Sequence, residues 1–397
     1  MVRNEQHKLN SAAGEWSCHS FRLRSAVDET SSATATGFRI SDFVLRILVL
    51  GWVLFYAGCG GPQGQFPQPL ETQLVWPKPP ERPRIRYVGT ISTEADLRKE
   101  VSWLQGLGQF LFGKKKIGVL VGPYAVSIDQ DGRLFVTDAT GGVVHAFDPN
   151  TRQYRQFAHL ARQEKLIKPV GLAIVDNRIY VVDSALRRVC VFNKDGQFIF
   201  SFGNERFKRP SGIAYWQAGQ ILYVVDTARH TIDMCSKDGF FLGQIGTRGL
   251  SPGKFNFPTH VWVDKNGKLY VSDTLNYRIQ IFTSTGQYLA TFGQQGDRPG
   301  SFAHPCGVAT DSFGNIYVVD RQFENVQIFN QQGHILMAFG EEGRGAGQFW
   351  LPAGIFIDKH NRIYVADSFN KRIQIFELIE GVTQTRKNAF GGPEQAQ

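Results

Sequence analysis

The chain has 397 residues with 44 Lys and Arg against 35 Asp and Glu, a formal net charge of +9. Without residues 1–58 the balance is 38 basic against 30 acidic residues, so an excess of +8 belongs to the remainder and favours a partner of opposite sign. Outside the N-terminal region only Cys190, Cys235 and Cys306 remain, which excludes a disulfide framework, and no Cys/His cluster of the ubiquitin-ligase kind is present.

Residues 1–40 are polar, rich in Ser and Thr, and far too long for the charged start of a signal peptide; translation beginning nearer residue 44 would account for them. Residues 43–58, FVLRILVLGWVLFYAG, form an apolar run broken only by Arg46. It is short for a spanning helix and suits the apolar part of a signal peptide, with an uncleaved membrane anchor as the competing reading. Tyr56-Ala57-Gly58-Cys59 then resembles the bacterial lipobox, with Tyr56 where Leu is usual. The resemblance implies lipidation at Cys59. With Gly60 in place of Asp, the resemblance to Gram-negative lipoproteins favours the outer membrane over inner-membrane retention, with periplasmic or surface face left open. Residues 59–83 are dense in Pro and Gly and read as an extended tether.

Arg84 to Ile91 reads as a strand without a local partner. A helical insertion is expected over 93–113, capped by Ser92 or Thr93, with Leu97, Val101, Leu104 and Leu107 at helical spacing. Trp103, Phe110, Phe112 and Lys114 to Lys116 follow within or just after it.

From Pro123 the chain repeats itself six times: Pro, a small residue, an apolar strand, a turn, then Tyr-Val-x-Asp or a close variant. The closing aspartates are Asp138, Asp183, Asp226, Asp273, Asp320 and Asp367, spaced by 45, 43, 47, 47 and 47 residues. A period in the forties with four short strands per unit points to propeller blades. Asp195-Gly196, Asp238-Gly239, Thr285-Gly286 and Gln332-Gly333 supply the tight turns between strands. Gly171, Gly212 and Gly307 would let innermost strands approach closely at the axis. Phe192, Phe282, Phe329 and Phe376, with Phe202, Phe292 and Phe339, would pack one sheet on the next. The aspartates would accept bonds from nearby backbone amides.

In the fourth and sixth copies the aspartate opens DTLNYRIQIF and DSFNKRIQIF. This pattern resembles the NHL repeat over residues 123 to 376, which implies an all-β, six-bladed propeller spanning 84–379 with 380–397 as a disordered tail. The Asn-x-Arg pair is intact only at Asn276/Arg278 and Asn370/Arg372. Because the sixth copy lacks an outer strand, residues 84–91 are expected to close the last blade.

The loops between second and third strands carry Arg187, Arg188, Arg229, His230, Arg278, Arg321, Lys371 and Arg372. Those leading to the next blade, on the same face, carry Arg206, Lys208, Arg209, Arg248, Lys254 and Arg298. Tyr277, Phe323, Phe369, Phe255, Phe257 and Trp350 are interleaved. Such a face suits an anionic ligand or a carboxylate-rich envelope protein, with Arg188, Arg278 and Arg372 spaced as a triangle; the competing readings are that these arginines bridge blades by bonding loop carbonyls, and that the basic face is merely solvated. NHL-type propellers include a zinc-dependent lyase with three axial histidines. Here only His260 and His304 fall near the axis, while His145, His159, His230, His334 and His360 are expected on outer strands or turns, so no metal or cofactor is expected. RNA binding is the other family precedent; an exported, lipid-anchored chain argues against nucleic acid. The expected role is a non-catalytic binding or assembly scaffold held at the membrane by its lipid.

Overall fold

The computed structural model describes residues 73–97 and 118–379. The apolar run at 43–58, Cys59, the tether up to residue 72, residues 98–117 of the helical region and the tail at 380–397 lie outside the described residues.

Six antiparallel sheets follow one another along the chain. Blade 4 shows the plan: from axis to rim its strands are His260–Val263, Leu269–Asp273, Arg278–Phe282 and Tyr288–Phe292. Leu269–Asp273 is buried along its whole length, as are Leu134–Asp138 and Ile316–Asp320, because the second strand has sheet on either side and blades on both faces. That is why the Tyr-Val-x-Asp segment reads as an apolar run rather than an alternation. The outer strand, with one free edge, is mostly exposed.

Around the axis the innermost strands are in backbone contact. A Cβ added to Gly171 would lie 2.6 Å from the carbonyl oxygen of Ser211 in the next blade, one on Gly307 would lie 2.6 Å from that of Ala353, and one on Gly354 would lie 2.5 Å from that of Tyr124. Only glycine permits such approach. The last of these contacts joins the sixth repeat to the first, where the Gly354 amide also donates to the Tyr124 carbonyl at 2.9 Å. The fold is a six-bladed β-propeller.

Between blades the contact is aromatic. Phe157 meets Phe192 at 4.9 Å, Phe292 meets Phe329 at 4.7 Å and Phe339 meets Phe376 at 4.9 Å, an outer-strand ring on the third-strand ring of the following blade each time. Each such pair adds about 1 kcal/mol beyond the burial itself. In blade 3 the third-strand position is Cys235, which is buried, and burial pushes its thiol up to about 12.

The ring closes with Ile85–Ile91 paired to Arg372–Leu378. Tyr87 faces Phe376, a bulge follows, and Gly89 faces Ile375, the register that Phe198 and Phe200 adopt against Phe192 and Val191 in blade 2. A further short strand, Val75–Trp76, pairs outside it within the segment expected to be tether. Trp76 sits 6.1 Å from Phe339 and 5.8 Å from Phe376, so the propeller body begins before residue 84. Of the helical insertion, Glu94–Leu97 is a 3-10 turn; the Ser92 and Thr93 amides donate to Asp96, and Thr93 Oγ1 accepts from the Ala95 amide.

Candidate functional site

The six aspartates are all fully buried. Asp320 accepts from the amides of Ala303, His304, Gln322 and Phe323, and Asp183 from those of Ile167, Lys168, Ala185 and Leu186. Each carboxylate ties the end of its second strand to the start of its first. At Asp138 burial works to raise the pKa, but bonds from His145, Val121 and Gly141 outweigh it and hold the group below the usual range. His145, expected on an outer strand or turn, stands on the third strand of blade 1, buried, with Nε2 3.4 Å from Asp138. It occupies the place of Gln280 and Gln374, both of which bond the blade's own aspartate.

The expected triangle of ligand-facing arginines is revised by the same geometry. Arg278 Nε donates to Asp273 at 2.8 Å and its Nη2 to the carbonyls of Ser251 and Lys254. Arg372 repeats this on Asp367 at 2.7 Å and on the carbonyls of Gly345 and Gln348. Asn276 and Asn370 bond the carbonyls of Gly249 and Gly343. Together these residues clamp the loop arriving from the preceding blade, and Phe255, expected on the surface, is buried beneath that loop like its equivalents Phe302 and Phe349. Arg188 pairs with Glu164 at 2.5 Å, and Arg229 with Asp233 at 3.0 Å and with Gln244. Four of the eight expected face residues therefore do internal work.

The others point outward. Arg187 and Lys371 are exposed, in left-handed conformation at φ 55° and 58°; Tyr277 shares that conformation at φ 56° and is partly buried. Lys208, Arg209, Arg248, Lys254 and Arg298 are exposed on the connecting loops. Among the described residues none of these cations has a carboxylate partner, nor has the half-buried Arg321.

At the axis two residues break the repeat. His260 occupies the slot that is Gly171, Gly212, Gly307 or Gly354 in four other blades, and Tyr124 occupies the slot of Val170, Ser211, Thr259, Cys306 and Ala353. Blades 1 and 4 are opposite in the ring, yet the Tyr124 and His260 rings stack at 5.7 Å and 12°, crossing the axis. His260 Nδ1 lies 3.0 Å from Thr259 Oγ1, and its Nε2 is sealed from solvent without a partner although the residue as a whole is only half-buried. Burial, then the charges of His304 and Arg321, push His260 down to about 3. His304 is lowered by burial and by Arg321. Burial raises Tyr124 to about 12 and Cys306 likewise, against the pull of Arg321 on both and of Arg209 on Tyr124. Two histidines under the charge of Arg321 are a poor cradle for a dication, and among the described residues no three metal-ligating side chains converge.

Within the channel lies a cavity of about 180 Å³ lined by His260 and by apolar residues including Val126, Leu172, Ile213, Val261, Trp262 and Phe356. Trp262 lies 5.8 Å from Phe356, with its Nε1 bonded to Thr310 Oγ1. The repeat pattern alone assigns Tyr124 no role, although an aromatic in a slot otherwise small or slender is a usable signal.

A family model described as a 6-bladed beta-propeller matches residues 309–390. No curated protein matches the chain. Among solved structures, a streptogramin B lyase aligns at 15% identity over 66% of this chain and 94% of that one, with a TM-score of 0.50. An auxiliary nutrient binding protein from Bacteroides ovatus aligns at 13% identity over 66% and 71%, with a TM-score of 0.52. A protein of unknown function from Bacteroides thetaiotaomicron aligns at 16% over 66% and 70%, also at 0.52. At these identities the likeness is one of fold.

Proposed function

We propose that this chain is a non-catalytic binding module of the cell envelope, built from NHL-type repeats, that captures an anionic ligand or a carboxylate-rich protein on its loop-bearing face. The observation that carries the reading is the division among the basic residues of that face. Arg278 and Arg372 are consumed by the fold, whereas Arg187, Lys208, Lys254 and Lys371 stand exposed without carboxylate partners among the described residues. Clustered like charge is retained against its own repulsion and focuses an opposite charge. Support for the NHL type comes from the matched roles of Asn276/Arg278 and Asn370/Arg372 on their loops. A zinc lyase is disfavoured by the Arg321 charge beside both axial histidines.

The anchor is Cys59, which the lipobox-like Tyr56-Ala57-Gly58-Cys59 segment supports, with the following Pro- and Gly-rich residues spacing the propeller from the membrane. Both parts are testable apart. Labelled poly-L-glutamate should bind the full chain and lose affinity as salt rises. Cys59→Ser should leave the chain unprocessed or release it from the membrane fraction with its melting temperature unchanged. Mass spectrometry finding residues 44–58 still attached to the mature wild-type protein contradicts the anchor.

A further inference from the structure

We propose that the axial mouth and the cavity within the channel form a site for a small organic acid with an aromatic or apolar body, the carboxylate held by Arg209, Arg321 and the Tyr124 hydroxyl. The proposal deepens the binding reading and rests on it, but it concerns residues at the axis rather than the outer ring of cations.

Three observations converge there. First, the backbone at Arg321 is fixed by its amide, which donates to the His304 carbonyl at 3.0 Å, and that at Arg209 by its amide on Asp226 at 3.0 Å; neither guanidinium has a carboxylate partner among the described residues. Both charges act on the Tyr124 hydroxyl. Arg209 also lies 5.6 Å from the Phe257 ring. Second, the polar edge of the Tyr124–His260 stack is incomplete: His260 Nε2 is sealed and unpartnered, and the Tyr124 hydroxyl has no protein partner among the described residues. A sealed orphan such as His260 Nε2 is costly unless something completes it. Third, His260 lines the cavity, so the polar cluster and the cavity share a wall. A cavity of about 150 Å³ accommodates a benzene ring, and this one is about 180 Å³.

The chemistry selects a carboxylate over a more highly charged anion. Burial and Arg321 keep both histidines from contributing charge near neutral pH. Two guanidinium forks and a hydroxyl then match one planar monoanion.

The test is calorimetric titration of the full chain at neutral pH with 3-phenylpropionate, its neutral amide 3-phenylpropionamide, and inorganic phosphate, following Trp fluorescence in parallel. The acid should bind saturably at one site per chain and change the fluorescence through Trp262, the amide should bind at least tenfold more weakly, and phosphate should not saturate. Arg321→Met, Arg209→Met and Tyr124→Phe should each weaken the acid about tenfold while melting temperatures stay near wild type, and Lys359→Met on the opposite face should change nothing. Absence of saturable binding, equal binding of acid and amide, or binding of the acid unaltered in both Arg→Met variants overturns the site. Because poly-L-glutamate reports on the outer cations, its capture with no acid binding would reject the axial site alone, and loss of both would reject the binding reading itself.

Discussion

Arg278 and Arg187 both sit on the loop face, one of them built into the fold and one free, and substitution should separate them. The Arg372 guanidinium meets a fully buried Asp367 and three loop carbonyls, Arg344, Gly345 and Gln348. Removing one partner of such a buried pair costs on the order of 3 kcal/mol because the other is left uncompensated. Arg372→Met should lower the urea midpoint accordingly, whereas Arg187→Met should stay within about 0.5 kcal/mol of wild type, as exposed positions do. His260 gives a second residue-scale prediction. In the unfolded chain it takes a proton near about pH 6.5, and in the folded chain only near about 3. Between those values the unfolded state binds more protons, so this residue's contribution to stability is lost as pH falls from about 6.5 toward 3. Stability curves of wild type and His260→Gln should therefore diverge on acidification from pH 6.5 to 5, the variant having the shallower slope. Parallel curves would place the His260 ring in solvent.

At the scale of elements, closure of the ring decides stability. Deleting residues 73–91 should leave the edge of Arg372–Leu378 unpaired and produce an early, separate melting step, while Trp76→Ala alone should cost about 2 kcal/mol, below the figure for a fully buried Trp because the ring is partly exposed. Ile85–Ile91 was legible in sequence because alternating apolar residues without a local partner demand one elsewhere. Val75–Trp76 was not: two residues among prolines carry no periodicity, and only the Phe339 and Phe376 rings show what Trp76 packs on. The glycines of the innermost strands and the Asp at each second-strand end were legible because backbone crowding and amide satisfaction admit few residue types. The loop clamp was less legible. Asn276, Arg278 and Gln280 reach a loop about 27 residues back in the chain, a contact that linear spacing does not reveal, so an arginine consumed by carbonyls looked the same in sequence as one open to a ligand.

For the whole molecule, antiparallel topology puts the first-to-second and third-to-fourth hairpins on one face and the second-to-third turns and blade-to-blade connections on the other, and the free cations lie on the latter. Their placement was legible once the repeat was aligned; their freedom was not, since it depends on where each carboxylate lies. The most direct test of this account compares two sets of charge reversals matched in size. Arg187, Lys208, Lys254 and Lys371 are changed to Glu in one protein, and Lys237, Lys265, Lys268 and Lys359 of the opposite face in another, and binding of labelled poly-L-glutamate is measured by fluorescence anisotropy at fixed ionic strength. Both proteins carry the same net charge, so any difference reports placement. We expect the first to lose at least tenfold in affinity with its melting temperature nearly unchanged, and the second to stay within about twofold of wild type. Equal weakening of the two would show that overall charge alone attracts the polymer and would contradict a dedicated binding face.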